Sequence, residues 1–227
     1  MTPSECRSIC AQNGLALDDE QMRLLESFAQ QISEWNKKIN LISRKDEEQI
    51  WERHILHSIA LLFHAELPFN CSVADIGTGG GFPGVPLKIC RPDVHVVLID
   101  SIQKKITALQ TMIADLQTMS VRMKDIEAVC GRAEQLAKLP DFLHRFDIIT
   151  ARAVAPLDEL ADWSKRLVRN GGKLIALKGG DINAEIKRTN KYTYVVDVKV
   201  RDLTLAGYDG FAAEGKKIVT VLFSDNI

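Results

Sequence analysis

The sequence predicts an α/β protein: a mainly parallel sheet, a helical extension before it and an antiparallel strand pair closing it. Three observations carry this. From residue 73 onward, short apolar runs alternate with helical patterns, which is the signature of βαβ units with right-handed crossovers. A glycine-rich turn, DIGTGGGFPG (75–84), follows the first apolar run and leads into a helix. The tail holds YTYVVDVKV (192–200), which alternates apolar and polar residues, and then KKIVTVLF (216–223). Alternation suits a strand with one solvated face.

Taken in order, residues 18–42 read as a helix. Asp18 is its expected N-cap, with Gln21 placed for a capping box. Leu25, Phe28, Ile32, Trp35 and Ile39 then form one apolar stripe. Residues 50–63 form a second helical stretch, with Trp51, Ile55, Ile59 and Leu62 on one side and ELPFN (66–70) ending it. Residues 1–70 are thus expected as a helical extension and 71–227 as one compact unit. Strands are expected at 73–76, 95–100, 126–130, 146–150 and 173–177. Ser101 is the expected cap of a helix carrying Ile102, Ile106, Leu109, Ile113 and Leu116. Leu157, Leu160, Trp163 and Leu167 mark the helix before the fifth strand, with Trp163 in the core and Gly171-Gly172 as the stop.

Composition narrows the functional classes. A chain of 227 residues can bury one sizeable core. No apolar run approaches the roughly 18–20 residues that cross a bilayer, and residues 1–20 lack a signal-peptide pattern, so a cytoplasmic protein is expected. The net charge of −1 argues against a protein basic all over, while leaving room for a local nucleic-acid patch. Lys37, Lys38, Arg44 and Lys45 are the N-terminal candidates for RNA backbone contact, although a solvated helix face explains them as well. The five cysteines are scattered, without a CxxC pair, and read as reduced thiols in or near the core. His54 and His57 lie three apart with no third ligand nearby, so no metal is expected.

The glycine turn admits three frames. A P-loop needs Gly-Lys-Ser/Thr, whereas Gly84-Val85-Pro86 stands here. A dinucleotide loop matches Gly79, Gly81 and Gly84, with Asp100 as the ribose acid. Pro83 and Pro86, however, remove N–H groups that a pyrophosphate requires. The third frame, Asp75-x-Gly77-x-Gly79-x-Gly81, suits a cofactor without phosphate. In S-adenosylmethionine the sulfonium is positive, Asp75 would serve the cationic end, the glycines would admit close backbone approach, and Asp100 would accept both ribose hydroxyls. A nicotinamide-dependent oxidoreductase and a non-catalytic cofactor- or RNA-binding protein of the same fold remain the alternatives.

WNKKINLIS (35–43), RHILHS (53–58), DIGTGGGFPGVPLKI (75–89), DSIQKK (100–105), GRAE (131–134), ARAVAPL (151–157) and ALKGG (176–180) occur in this order. The set resembles the RsmG-type small-subunit ribosomal RNA guanine-N(7) methyltransferases, also called glucose-inhibited division protein B, over roughly residues 20–190. The resemblance implies a Rossmann-like class I S-adenosylmethionine-dependent methyltransferase fold with a seven-stranded sheet. It implies 16S rRNA of the small ribosomal subunit as partner, with methylation at N(7) of one guanine in the decoding-region loop. A monomer without metal is expected. By motif, Asp75, Gly77, Thr78, Gly79, Gly81 and Phe82 form the cofactor loop, Asp100 and Ser101 hold the ribose side, and Ala133 and Glu134 meet adenine. Arg152 lies between cofactor and RNA, and Lys178 is a candidate phosphate contact. Three departures stand out: His57 where family members usually carry aspartate, Lys105 where arginine is common, and Gly80 where proline or alanine is frequent.

The residues agree with that chemistry by what they omit. Guanine N(7) has an in-plane lone pair and no proton, so transfer needs alignment rather than a general base. An exocyclic-amine methyltransferase would show D/N-P-P-Y/F after the fourth strand, where TARAVAP stands. A cytosine-C5 enzyme would place a cysteine nucleophile near that strand, and the nearest, Cys130, ends strand three. A ribose 2′-hydroxyl enzyme would want aspartate at Arg152.

Overall fold

Capping residues set the first two helices in the computed structural model, which describes residues 1–225. Thr2 caps α1 (Pro3–Gln12) and Asp18 caps α2 (Asp19–Asn36), each within a complete capping box. The sequence reading did not anticipate α1. It also carried α2 on to residue 42, whereas the helix stops at Asn36. The buried Asn36 Oδ1 accepts from the backbone N–H of Leu41 (2.7 Å) and Ile42 (3.0 Å), folding the chain into a turn. The expected helix over 50–63 is broken into a π-helical turn (Trp51–Leu56), α3 (His57–Ile59) and α4 (Leu61–His64).

Seven strands follow: β1 (Ser72–Ile76), β2 (His95–Asp100), β3 (Ile126–Cys130), β4 (Phe146–Arg152), β5 (Val168–Gly179), β6 (Val195–Asp202) and β7 (Lys216–Phe223). Their order in the sheet is β3-β2-β1-β4-β5-β7-β6. The first five run parallel, and β7 lies antiparallel between β5 and β6. The antiparallel pair was expected from the alternating tail. The helices α5 (Gly84–Cys90), α6 (Gln103–Met119), α7 (Ala133–Leu136), α8 (Leu157–Ser164), α9 (Asn183–Thr189) and α10 (Gly210–Ala213) connect them. The chain winds outward through β2 and β3, then returns to the other side of β1 as β4. That reversal opens a crevice at the carboxyl ends of β1 and β4, where such sheets bind ligands.

One face of the sheet buries Val73, Leu98 and Ile148 against the N-terminal helices, α5 and α6, through residues such as Phe28, Ile55 and Leu109. The other face packs Ala74, Ile149 and Leu174 against Leu157 and Leu160 of α8. Cys6, Cys10, Cys71 and Cys90 are buried free thiols, and Cys130 is exposed. The N-terminal helix is tied to the last loop by a two-way bond: Asn13 Nδ2 donates to the Ala206 carbonyl (3.0 Å), and the Ala206 N–H donates to Asn13 Oδ1 (2.9 Å).

Two local expectations are corrected. Gly171-Gly172 does not stop a helix, since α8 has ended at Ser164. The pair lies inside β5, where the register against β4 shifts between Phe146 and Ile148. Gly171 there takes φ +70°, and a Cβ on Gly172 would meet the Asp147 carbonyl at 2.8 Å. Ser101 is not the cap of α6. Ile102 occupies that position without a side-chain bond, and its N–H is instead satisfied by Asp100 Oδ1 at 2.9 Å.

Candidate active site

The carboxyl ends of the strands carry a cavity of about 300 Å³. Gly77 follows β1, Asp100 ends β2, Gly131, Ala133 and Glu134 follow β3, and Ala153 and Val154 follow β4; all line it. Ser101 and Lys105 stand at its edge, and Trp163 contributes from α8. Trp163, expected only as core, therefore does two things: it packs half-buried on the core and walls the cavity. Gly77 takes φ +66°, and a Cβ there would lie 2.5 Å from Val154, so only glycine keeps this wall open.

Asp100 braces as well as faces the cavity. Its Oδ2 accepts from the Gly79 N–H (3.0 Å) and its Oδ1 from the Ile102 N–H. Carboxylate oxygens have two acceptor sites each, so capacity remains for a ligand hydroxyl. Glu134 stands in the first turn of α7, 3.7 Å from Arg132.

The other loop residues are placed differently from expectation. Asp75 is fully buried under the loop and does not line the cavity. Its Oδ2 accepts from Thr78 Oγ1 (2.6 Å) and the Gly84 N–H (3.0 Å), and its Oδ1 from Thr150 Oγ1 (3.1 Å). Desolvation pushes its carboxyl up to about 6, against the pull of these donors. Asp75 and Thr78 thus tie the turn to β1, β4 and α5 instead of meeting a ligand. Gly79 offers its N–H to Asp100, and Gly81 carries φ +91° beside Val85 and Leu109. Phe82 is buried against Phe28, with ring centroids 5.2 Å apart, rather than on the cavity wall.

Phe82 supports Arg152 instead. The guanidinium lies 5.1 Å from the Phe82 ring centroid. Its Nη1 donates to the Arg53 carbonyl (2.9 Å), and its Nη2 lies 2.6 Å from His54 Nδ1. No carboxylate pairs with Arg152 among the described salt bridges, and desolvation lowers its pKa to about 10. Lys178 is occupied: its Nζ donates to the Ala155 carbonyl (2.6 Å) and to Glu185 Oε2 (2.8 Å). The same Glu185 oxygen accepts the Leu157 N–H at 2.7 Å, so Lys178 clamps β5 to α8 and α9 rather than standing free for phosphate. Lys37 pairs with Glu34 and Lys38 lies over Trp35, while Arg44 and Lys45 are exposed.

A second cavity, of about 220 Å³, is lined by Arg152 and shares the next residue, Ala153, with the first. His54, His57, Arg53 and Asp46 wall it from the N-terminal segment, and Tyr208, Phe211, Glu214 and Lys216 from the far side. Desolvation, followed by the Arg152 charge, lowers both imidazoles to about 3, so they are neutral. The sequence reading found no role for the 208–216 segment, and only the spacing of His54 and His57 hinted at a site. Among the described residues no cluster suited to a metal ion occurs, and no helix is long and apolar enough to cross a membrane.

The strand order and the cavity at the reversal define a Rossmann-like class I methyltransferase fold. It is shared by Aeropyrum pernix fibrillarin, solved with natively bound S-adenosyl-L-methionine, at TM-score 0.54 and 16% identity over 72% of this chain and 73% of that one. It is shared too by geranyl diphosphate C-methyltransferase from Streptomyces coelicolor, at TM-score 0.56 and 12% identity over 87% and 98%. The chain belongs to the GidB family, whose model, rRNA small subunit methyltransferase G, matches residues 21–208. Relatives named ribosomal RNA small subunit methyltransferase G include one from Chlorobium luteolum, 41% identical over 79% of this chain and 71% of its own length. Another, from Desulfitobacterium hafniense, is 36% identical over 91% and 83%. The chain is a methyltransferase of this family.

Proposed function

We propose that the protein transfers the methyl group of S-adenosylmethionine to N(7) of a guanine in the decoding-region loop of 16S rRNA, acting in the cytoplasm as a monomer. The observation that carries the cofactor is the first cavity. It has an apolar floor of Ile76, Ile99 and Val154, an acid at the end of β2, and Pro83 and Pro86 where a phosphate would need N–H donors. These residues fit a cofactor that is uncharged along its nucleoside. Asp100 would take the ribose hydroxyls, Ala133, Glu134 and Trp163 the adenine side, and Gly77 the close approach of the amino-acid portion. When bound, the cofactor supplies a methyl on a positive sulfur.

The chain's own residues have little proton chemistry to do. The N(7) lone pair of guanine forms the new N–C bond while the S–C electron pair returns to sulfur, and the purine takes the positive charge. No proton moves, which agrees with a site whose two imidazoles are neutral and buried. Arg152, fixed by His54, the Arg53 carbonyl and Phe82, is the positioning group, lining the second cavity beside the shared Ala153. Labelled methyl transfer to small subunits from a strain lacking the modification tests the reading. Label at guanine N(7) is expected, and label at any other atom, or none, contradicts it.

A further inference from the structure

We propose that the second cavity receives the target base, with His54 and His57 reading its edge and the 208–216 segment walling its face; this rests on the guanine-methylating reading above. The cavity shares Ala153 with the first and is lined by Arg152 just before it, so an occupant of one lies beside an occupant of the other. Its polar groups are unsatisfied in a specific way. His54 and His57 are each more than nine-tenths buried, and Nε2 of each lacks a hydrogen-bond partner among the described residues. His54 Nδ1 faces the Arg152 donor, so in the neutral ring Nε2 carries the proton and donates. His57 Nε2 is unpartnered too, and the Arg53 carbonyl beside that ring favours the proton on the other nitrogen, which leaves Nε2 as an acceptor. Buried groups left unpaired are costly, and a ligand offering one acceptor and one donor satisfies both.

A base edge has that character, whereas a phosphate offers acceptors alone. Guanine presents O6 beside N1–H and an amino group. Asp46 Oδ2, 3.5 Å from His54 Nε2 without a hydrogen bond to it, and Glu214 add acceptors for the extra donors. Fixed charge points the same way. The lining carboxylates Asp46, Glu52 and Glu214 match the cations Arg53, Arg152 and Lys216 in number, so no positive excess awaits an anion. As methylation makes the purine cationic, carboxylates already in place stabilise the charge where it develops. The wall suits a flat ring: Phe211 packs against His57 at 5.0 Å and edge-on to Tyr208 at 4.8 Å. Glu52 accepts the Tyr208 hydroxyl and fixes that ring.

The test uses the full chain, small subunits lacking the modification, and S-adenosylhomocysteine as the cofactor probe. His57→Phe keeps the ring and its packing but removes the acceptor. Glu214→Gln keeps the volume at an exposed position. Each is expected to lower kcat/KM for the subunit by about tenfold or more, with S-adenosylhomocysteine affinity within about twofold of wild type. Phe211→Ala is expected to lose more. Should its circular dichroism show unfolding, the first two variants decide. With 6-thioguanosine at the target position, photo-crosslinks are expected on 208–216 or 46–57. Wild-type transfer with unaffected His57→Phe and Glu214→Gln, or crosslinks elsewhere, overturns the pocket alone. Wild-type protein that labels no guanine overturns the function and the pocket together.

Discussion

The first cavity takes its walls from the residues that end or follow successive strands: Gly77, Asp100, Ala133 and Ala153. The second joins Asp46 to His57, before the sheet begins, to Tyr208 through Lys216, which leads into its last-formed strand. The difference is one of construction. A parallel sheet brings all its carboxyl ends to one edge, so the first cavity follows from topology whatever the loops contain. The second depends on two distant segments meeting, held by the Asn13–Ala206 bonds and the Glu52–Tyr208 contact. Nothing local in either segment calls for the other.

The largest effects should separate the two cavities. Arg152→Ala, in the second cavity next to the shared Ala153, is expected to cut methyl transfer roughly a thousandfold, about 4 kcal/mol of transition-state stabilisation, with little change in S-adenosylhomocysteine affinity. Asp100→Ala should weaken S-adenosylhomocysteine by about a hundredfold, close to 2.7 kcal/mol, because it removes both a ligand acceptor and the brace on Gly79. Calorimetry and single-turnover transfer read the contrast, and equal cofactor affinity in wild type and Asp100→Ala would show that the ribose role is wrong.

The next effect is on stability and belongs mainly to the second cavity. His54 and His57 are lowered to about 3 from a usual 6.5. Their contribution is therefore present above pH 6.5 and is lost as pH falls, because only the unfolded chain takes up these protons. Asp75, raised to about 6 from 3.8, works in the opposite direction, gaining its proton first in the folded state. Between pH 7 and pH 5 the two histidines outweigh the one carboxyl, and a net loss of about 2–3 kcal/mol is expected. Urea unfolding at the two pH values measures it, and His57→Phe should reduce the fall by more than half. A flat profile would mean that these imidazoles are solvated.

The smallest expected effect is at Lys178→Met, about 1 kcal/mol of stability, read by thermal unfolding, since Glu185 loses one of its partners. A loss of transfer comparable to Arg152→Ala would instead return Lys178 to an RNA contact.

The same contrast governs what the sequence made legible. Strand positions, their parallel majority and the acid ending β2 follow from short apolar runs and one glycine turn, patterns local enough to see. Asp75 was readable as important but not as buried. Its position at the end of β1 resembles that of a ligand-facing acid, and only the fold shows Thr78, Gly84 and Thr150 converging on it. Lys178 invites a phosphate reading for the same reason, because its partner Glu185 lies on a helix the apolar pattern does not reveal. Phe211 carried no signal at all, since a lone aromatic near glycines reads as ordinary core.

The paired bonds between Asn13 and Ala206 bear on the order in which the molecule comes into being. A ribosome releases Asn13 long before Ala206. By residue 154 every strand-end contributor to the first cavity already exists, whereas the far wall of the second is still to be made. A growing chain therefore acquires the means to hold one small molecule well before it acquires its second recess. Only a polypeptide grown past Ala206 can close α1 onto that loop.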